Sequence, residues 1–299
     1  MTKLYGFGNA LIDIEISIKD EDLIHIDIPK GSTKDISHED LMNFLSTFDS
    51  NVRSRLPGGS IANSLYAANQ FGAIVHFSCS IGKDDYGDFF VDSFKNNKNL
   101  ITYKVSDKPT GVCLIFVTPD GERTMASNLG ANEDLSPEAL NIEKIESSNF
   151  LIFDNFALFT TSRNKMVVSA LSKKGKSTKV CFGLSDVNLI DKNIEQLKWL
   201  SQNKVDYIFG NEKEMERLKE RLDFTTENSV TTLDRRGAMH NGRLMPAPQL
   251  TKVVNTNGAG DALMGAFLAL KDEEGIERAL MKAIAYATKV CSVNGPRIL

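Results

Sequence analysis

From residue 74 to residue 222 the chain alternates two hydrophobic periods. Short apolar runs at 74–81, 149–153, 179–184 and 205–209 read as strands, and amphipathic stretches at 84–96, 161–174, 190–201 and 211–222 read as helices. Strands joined through helices form right-handed crossovers, which predicts an α/β chain with a mainly parallel sheet covered on both faces. Lys3–Gly8 reads as a further strand of that sheet, and 275–293 as a helix whose Ala279, Ala283 and Ala287 pack on the body. With 299 residues the chain can bury one large core, so a single domain is expected over 1–299.

Two stretches interrupt the alternation. Ile12, Ile14, Ile16 and Ile18 alternate with Asp13, Glu15 and Ser17, the pattern of a half-exposed strand; Lys30-Gly31-Ser32 turns into another short one. Ser37 then caps a helix with Leu41, Phe44, Leu45 and Phe48 on one face. Within 101–128, Val112–Val117, the turn Pro119-Asp120-Gly121-Glu122 and Arg123-Thr124-Met125 read as a hairpin. Residues 12–35 and 101–128 are therefore expected to form a small β-sheet that closes over a site as a lid. Its outer face, with Ile14, Ile16 and Ile18, is apolar enough to pair with a second subunit in a homodimer.

Chemistry concentrates in three turns. In Val254-Asn255-Thr256-Asn257-Gly258-Ala259-Gly260-Asp261, a polar turn opens a helix carrying Leu263, Phe267, Leu268 and Leu270. Unpaired N–H groups and the dipole at a helix start attract anions, and Gly258 and Gly260 let a phosphoryl group approach. Asp261 would repel that anion, which makes sense if it takes a proton from an attacking hydroxyl. Leu56-Pro57-Gly58-Gly59-Ser60-Ile61-Ala62-Asn63 also opens a helix, and the Asn63 amide suits neighbouring hydroxyls. Asn211 and Glu214 stand at the carboxyl end of a strand, where parallel sheets bind ligands and a carboxylate could hold the water shell of Mg²⁺. Each has a plainer reading: an N-terminal cap at Asp261, a Gly-Gly turn with a Ser cap, and an Asn211–Glu214 capping box.

Other classes find less support. The net charge of -4 offers no general field for nucleic acid or an acidic membrane. Cys79, Cys113, Cys181 and Cys291 are far apart and read as reduced thiols, and His25, His38, His76 and His240 do not cluster as metal ligands. No secretion signal or membrane span stands out, so a cytoplasmic protein is expected. Gly6-Phe7-Gly8 lacks the third glycine of a dinucleotide fingerprint, and no P-loop occurs; a nicotinamide-dependent oxidoreductase would rest on the strand–helix alternation alone.

Four stretches stand in a fixed order: Gly8-Asn9-Ala10 with Asp13, Gly58-Gly59-Ser60 with Ala62-Asn63, Asn211 with Glu214, and Asn255-Thr256 with Gly258-Ala259-Gly260-Asp261. Order and spacing resemble the PfkB (ribokinase-like) family of carbohydrate and nucleoside kinases over nearly the whole chain. Pro119–Met125 and Asn128-Leu129-Gly130-Ala131 look most like the bacterial adenosine kinase-like branch. The resemblance implies a three-layer α/β/α sandwich with a β-sheet lid, and ATP-dependent phosphorylation of a hydroxymethyl group on a ribose-containing substrate, a nucleoside such as adenosine. It implies Asp261 as catalytic base and Gly258, Ala259 and Gly260 as its anion hole. Asp13, Gly59 and Asn63 would bind the acceptor, Thr256, Asn257 and Gly237 the nucleotide, and Asn211 and Glu214 the Mg²⁺ that accompanies ATP.

The chain departs from the family pattern in three places. Asn255 replaces the usual Asp at a position that helps hold a monovalent cation in some members, which leaves potassium activation open. Asp234 stands where a glycine usually lies near the nucleotide, and the stretch between Glu214 and Val230 is shorter than usual. A kinase for free ribose or fructose, and a degenerate homologue that binds without catalysis, are the alternatives.

Overall fold

The computed structural model describes residues 1–94, 100–250 and 252–298. Its larger sheet has nine strands, in the edge-to-edge order Arg243–Met245, Ala238–His240, Asn228–Thr232, Tyr207–Asn211, Lys179–Gly183, Phe150–Asp154, Lys3–Phe7, Ile74–Gly82 and Leu100–Ser106. From Asn228–Thr232 to Leu100–Ser106 neighbouring strands are parallel, and the remaining two extend the sheet antiparallel. Strands buried on both faces send alternate residues into two cores. Leu4, Phe150 and Ile152 meet Ile61, Leu65, Leu263 and Phe267 from the helices Ser60–Gln70 and Ala259–Glu274 on one side. Tyr5, Phe7, Leu151 and Phe153 meet Met166, Val167, Leu197 and Met215 on the other. This is the predicted three-layer α/β/α sandwich.

The predicted helix over 84–96 runs from Asp85 to Asp92, and its residues 95 and 96 lie outside those described. The one expected over 190–201 is two helices, Val187–Lys192 and Ile194–Ser201. Between them Asn193 turns its amide inward, donating to the backbone and side-chain oxygens of Asn155 (2.9 and 2.8 Å). Among the described residues no helix is long and apolar enough to cross a membrane.

The smaller sheet has the order Thr33–Asp35, Arg123–Asn128, Gly111–Val117, Leu11–Ser17, Val52–Gly58. Its composition corrects the expected boundaries. Residues 101–106 pair with Ile74–Gly82 in the larger sheet, whereas Val52–Gly58, not anticipated, pairs antiparallel with Leu11–Ser17. The strand Leu11–Ser17 is also not half-exposed. Ile12, Ile14 and Ile16 are fully buried, in one core with Leu41, Phe48 and Phe116, and Asp13 and Glu15 are each only 8% exposed on the opposite face. Alternation reported two chemically different faces correctly; both are covered because distant parts of the chain pack on each. The helix His38–Thr47, capped by Ser37 accepting from the Asp40 N–H (3.0 Å), covers the isoleucine side, and Phe44 and Phe48 both meet the Phe116 ring edge-on. The apolar face offered for a homodimer is therefore filled from within the chain.

Candidate active site

Both glycine-rich turns face the same place because their helices cross closely. An added Cβ at Gly265 of Ala259–Glu274 would overlap the Ser64 carbonyl oxygen of Ser60–Gln70, so only glycine lets the two backbones approach. The crossing brings Asp261, half-buried in its helix's first turn, against Ser60 and Asn63. The Ser60 hydroxyl donates to Asp261 Oδ1 (2.7 Å) and the Asn63 amide nitrogen to Oδ2 (3.1 Å). Gly258 precedes this helix with a φ of 74°, and an added Cβ there would stand 2.5 Å from Pro296. The Ala259 N–H turns back to the Thr256 carbonyl (3.3 Å), while those of Gly260 and Asp261 have no backbone acceptor among the described residues. Two N–H groups at a helix start, beside an oriented carboxylate, can receive a charged oxygen.

Asp13 comes from the smaller sheet. Asn257 donates from its amide to Asp13 Oδ2 (3.3 Å), and its own N–H is held by Asn255 Oδ1 (2.7 Å). The glycine pair makes room: a Cβ at Gly58 would overlap the Asp13 carboxyl, and one at Gly59, with a φ of 92°, the Asn9 carbonyl oxygen. Asn9 Oδ1 is buried with no partner, an acceptor without a donor. Asp154, at the end of its central strand, likewise keeps Oδ1 buried and unpartnered.

Electrostatics ties these groups together. Burial pushes the Asp13 carboxyl up to about 7, with Arg297 opposing and Asp261 adding to the rise. Burial also raises Asp261, while the Ser60 and Asn63 hydrogen bonds and Arg297 hold it down. Asp154 reaches about 7 through burial and the Asp261 charge, and Glu214 about 7 mainly through burial. A carboxylate that takes a proton from a hydroxyl works best with its affinity raised toward the working pH.

The family profile of pfkB family carbohydrate kinases matches residues 50–299. The chain belongs to the pfkB family of carbohydrate kinases. Two relatives are similar to it along most of its length. Adenosine kinase 2 of Arabidopsis thaliana is 28% identical over 330 residues, covering 96% of this chain and 92% of its own. The ribokinase of Lactococcus lactis is 30% identical over 226 residues, 71% of each. Among solved structures, the adenosine kinase of Sinorhizobium meliloti superposes with a TM-score of 0.91 at 24% identity, covering 100% of this chain and 96% of that one, a likeness of fold.

The structure brings Asp13, Gly59, Asn63, Gly258, Ala259, Gly260 and Asp261 together. Asn257, Gly237, Asn211 and Glu214 have structural contacts of their own. The Asn257 amide, expected on the nucleotide side, is engaged with Asp13, while Thr256 beside it is exposed. Gly237 has a φ of 107°, and a Cβ there would overlap the Met245 carbonyl oxygen, so the fold requires this glycine whatever binds nearby. Asn211 and Glu214 form a complete capping box: Asn211 Oδ1 accepts from the Glu214 N–H (2.9 Å), and Glu214 Oε2 and Oε1 accept from the Asn211 N–H and amide (2.9 and 2.8 Å). Asn255, the departure from the family's Asp, donates to Glu15 Oε2 (3.2 Å), a bond that a carboxylate could not make. Ser60, Asp154 and Arg297 were not singled out from sequence. Ser60 lay inside a quoted motif, but Asp154 and Arg297 carried no local signal.

The raised carboxyls predict how the ligand-free protein responds to pH. Between about pH 4 and about pH 7 the folded state retains protons on Asp13, Asp154 and Glu214 that the unfolded chain has released, so these groups weaken stability as pH rises through that window. Asp154→Asn removes one such group. Its melting temperature is expected to fall less steeply than wild type over this interval, and identical slopes by calorimetry would remove Asp154 from that role.

Proposed function

We propose that the protein is an ATP-dependent kinase that phosphorylates the hydroxymethyl group of a nucleoside, with adenosine as the first acceptor. The observation that carries this is the pairing of Asp261, oriented by Ser60 and Asn63, with the unpaired N–H groups of Gly260 and Asp261 at one helix start. Asp261 takes the proton of the acceptor hydroxyl as its oxygen attacks the γ-phosphorus of ATP, the bond to the β–γ bridging oxygen breaks and ADP leaves, and the N–H groups stabilise the charge on the transferring phosphoryl. Asp13 accepts from the ribose hydroxyls beside it, with Gly59 and Asn63 lining the same space. The unpartnered Asn9 Oδ1 supports a ligand with hydrogen-bond donors there. The smaller sheet, whose Asp13 and Glu15 reach across to Asn257 and Asn255, acts as a lid that excludes water and so protects ATP from hydrolysis.

The nucleotide lies on the side of Thr256 and Gly237. Magnesium fits as an ion held through water. Both Glu214 oxygens are engaged with Asn211, yet each keeps an acceptor site, and among the described residues no three His, Cys, Asp or Glu side chains form a metal cage. Bound there with ATP, Mg²⁺ would neutralise phosphate charge. Asn211 and Glu214 would hold it through its waters.

Adenosine is preferred to a free sugar because the Arabidopsis adenosine kinases align over 96% of this chain, against 71% for the Lactococcus ribokinase. The test is ADP release from ATP and Mg²⁺ with adenosine, inosine, ribose or fructose. A response led by adenosine is expected. One led by ribose or fructose would establish the sugar kinase instead, and silence with every acceptor would reject the activity.

A further inference from the structure

Residues 294–298 belong to no recognisable motif, yet they run through the site. A Cβ added at Gly295 would overlap Leu56 of the smaller sheet, Pro296 fills the space beside Gly258, and the Tyr66 hydroxyl donates to the Ile298 carbonyl (2.8 Å). Arg297, held between these contacts, is 4% exposed. Its guanidinium lies 5.2 Å from the Tyr66 ring centre and 5.7 Å from that of Phe94, and its Nε donates to Asn63 Oδ1 (2.9 Å). The other end of that same amide donates to Asp261. An arginine can only donate, so it accepts no alternative from Asn63 but the oxygen, and the nitrogen is thereby turned to the carboxylate.

We infer that Arg297 is a positioning residue for phosphoryl transfer: it locks the Asn63 amide so that it donates to Asp261, and its charge offsets the Asp13 and Asp261 carboxylates. The inference rests on the kinase reading above. Packing alone is a poor account of this arginine, because Nη2 is buried without a partner and an incompletely paired buried cation is costly. The Asp261 charge is also felt at Asp154 and Glu214, where it adds to the rise that burial causes. Burial lowers the Arg297 guanidinium only to about 10, so it remains charged at neutral pH.

The test is chemical rescue. Arg297→Gly is expected to lower kcat by about 10²-fold through loss of orientation at Asp261. Low millimolar guanidinium should then recover about tenfold of that turnover and raise the variant's melting temperature, whereas urea, of similar shape but neutral, should do neither. Arg297→Lys keeps the charge without the planar fork; it guards against a misfolded glycine variant and is expected to retain KM while losing part of kcat. Unchanged kcat in an active, folded Arg297→Gly protein would overturn the inference. So would guanidinium that raises the melting temperature without moving kcat, which would leave only a packing role. Wild-type protein inactive with every acceptor would overturn the kinase reading and the inference together, a result distinct from either.

Discussion

Asp261→Asn is expected to lower kcat by about 10²–10⁴-fold while KM for the acceptor stays close to wild type. The replacement is nearly isosteric, and its amide oxygen can still accept from Ser60 or Asn63, so the helix start and acceptor pocket keep their shape. What is lost is the capacity to take the hydroxyl proton as the oxygen attacks. Such an interaction belongs to the transition state, so the loss falls on kcat. Initial-rate measurements of ADP release with the preferred acceptor check it. Turnover within a few-fold of wild type would take the proton-accepting role away from Asp261 and leave it as a tie between the two helices through Ser60 and Asn63.

The second large effect lies away from the chemistry. Gly265→Ala is expected to destabilise the fold by about 3 kcal/mol, since overpacking against backbone leaves little room to relax. In a protein of this size that lowers the melting temperature by about 5 °C. Helix propensity argues the other way, because Ala in a helix interior is favoured over Gly by about 1 kcal/mol. The overlap with the Ser64 carbonyl oxygen decides the sign. Any relief must part the helices Ser60–Gln70 and Ala259–Glu274, which also moves Asp261 away from Ser60 and Asn63. Thermal melts and kcat should therefore fall together. A Gly265→Ala variant as stable as wild type would show that the crossing is looser than its geometry indicates.

Glycine has two different meanings in this molecule. At Gly258 and Gly59 the backbone takes a positive φ at the entry to a helix, which sequence reading expects of glycine in a polar turn. At Gly265 the backbone is ordinary helix, and glycine is needed only because another helix passes there. Nothing in Leu263-Met264-Gly265-Ala266-Phe267 announces it, since the apolar stripe reads as a buried helix with or without that residue. The same distinction separates Asp261 from Arg297. Asp261 is conspicuous because a carboxylate beside an anion-binding helix start needs explaining, whereas an arginine after Gly295-Pro296 has no local context that assigns it a role.

Asn211 and Glu214 show a residue pair with two readings that geometry does not force apart. The capping box is complete, as their spacing allowed, and the carboxylate is still 6% exposed and raised toward 7 at the ligand edge of the sheet. A cap fixes that carboxylate in place, which is also what an ion held through water requires.

The sequence alone determined the α/β layering, the two glycine-rich helix starts and the identity of Asp261, Asp13 and Asn63 as candidates. The layering and the helix starts, with Asp261 and Asn63 on them, follow from local period and from backbone groups left unpaired at helix starts, both properties of neighbouring residues, whereas Asp13 is implied only by the family resemblance. Only the tertiary structure decided that Val52–Gly58 completes the smaller sheet and that 101–106 joins the larger one. It also buried Asp13 and Glu15 and put Arg297 behind Asn63. Those outcomes depend on contacts between segments as far apart as residues 13 and 257 or 63 and 297, where pairing, burial and charge arise only when the chain has closed on itself.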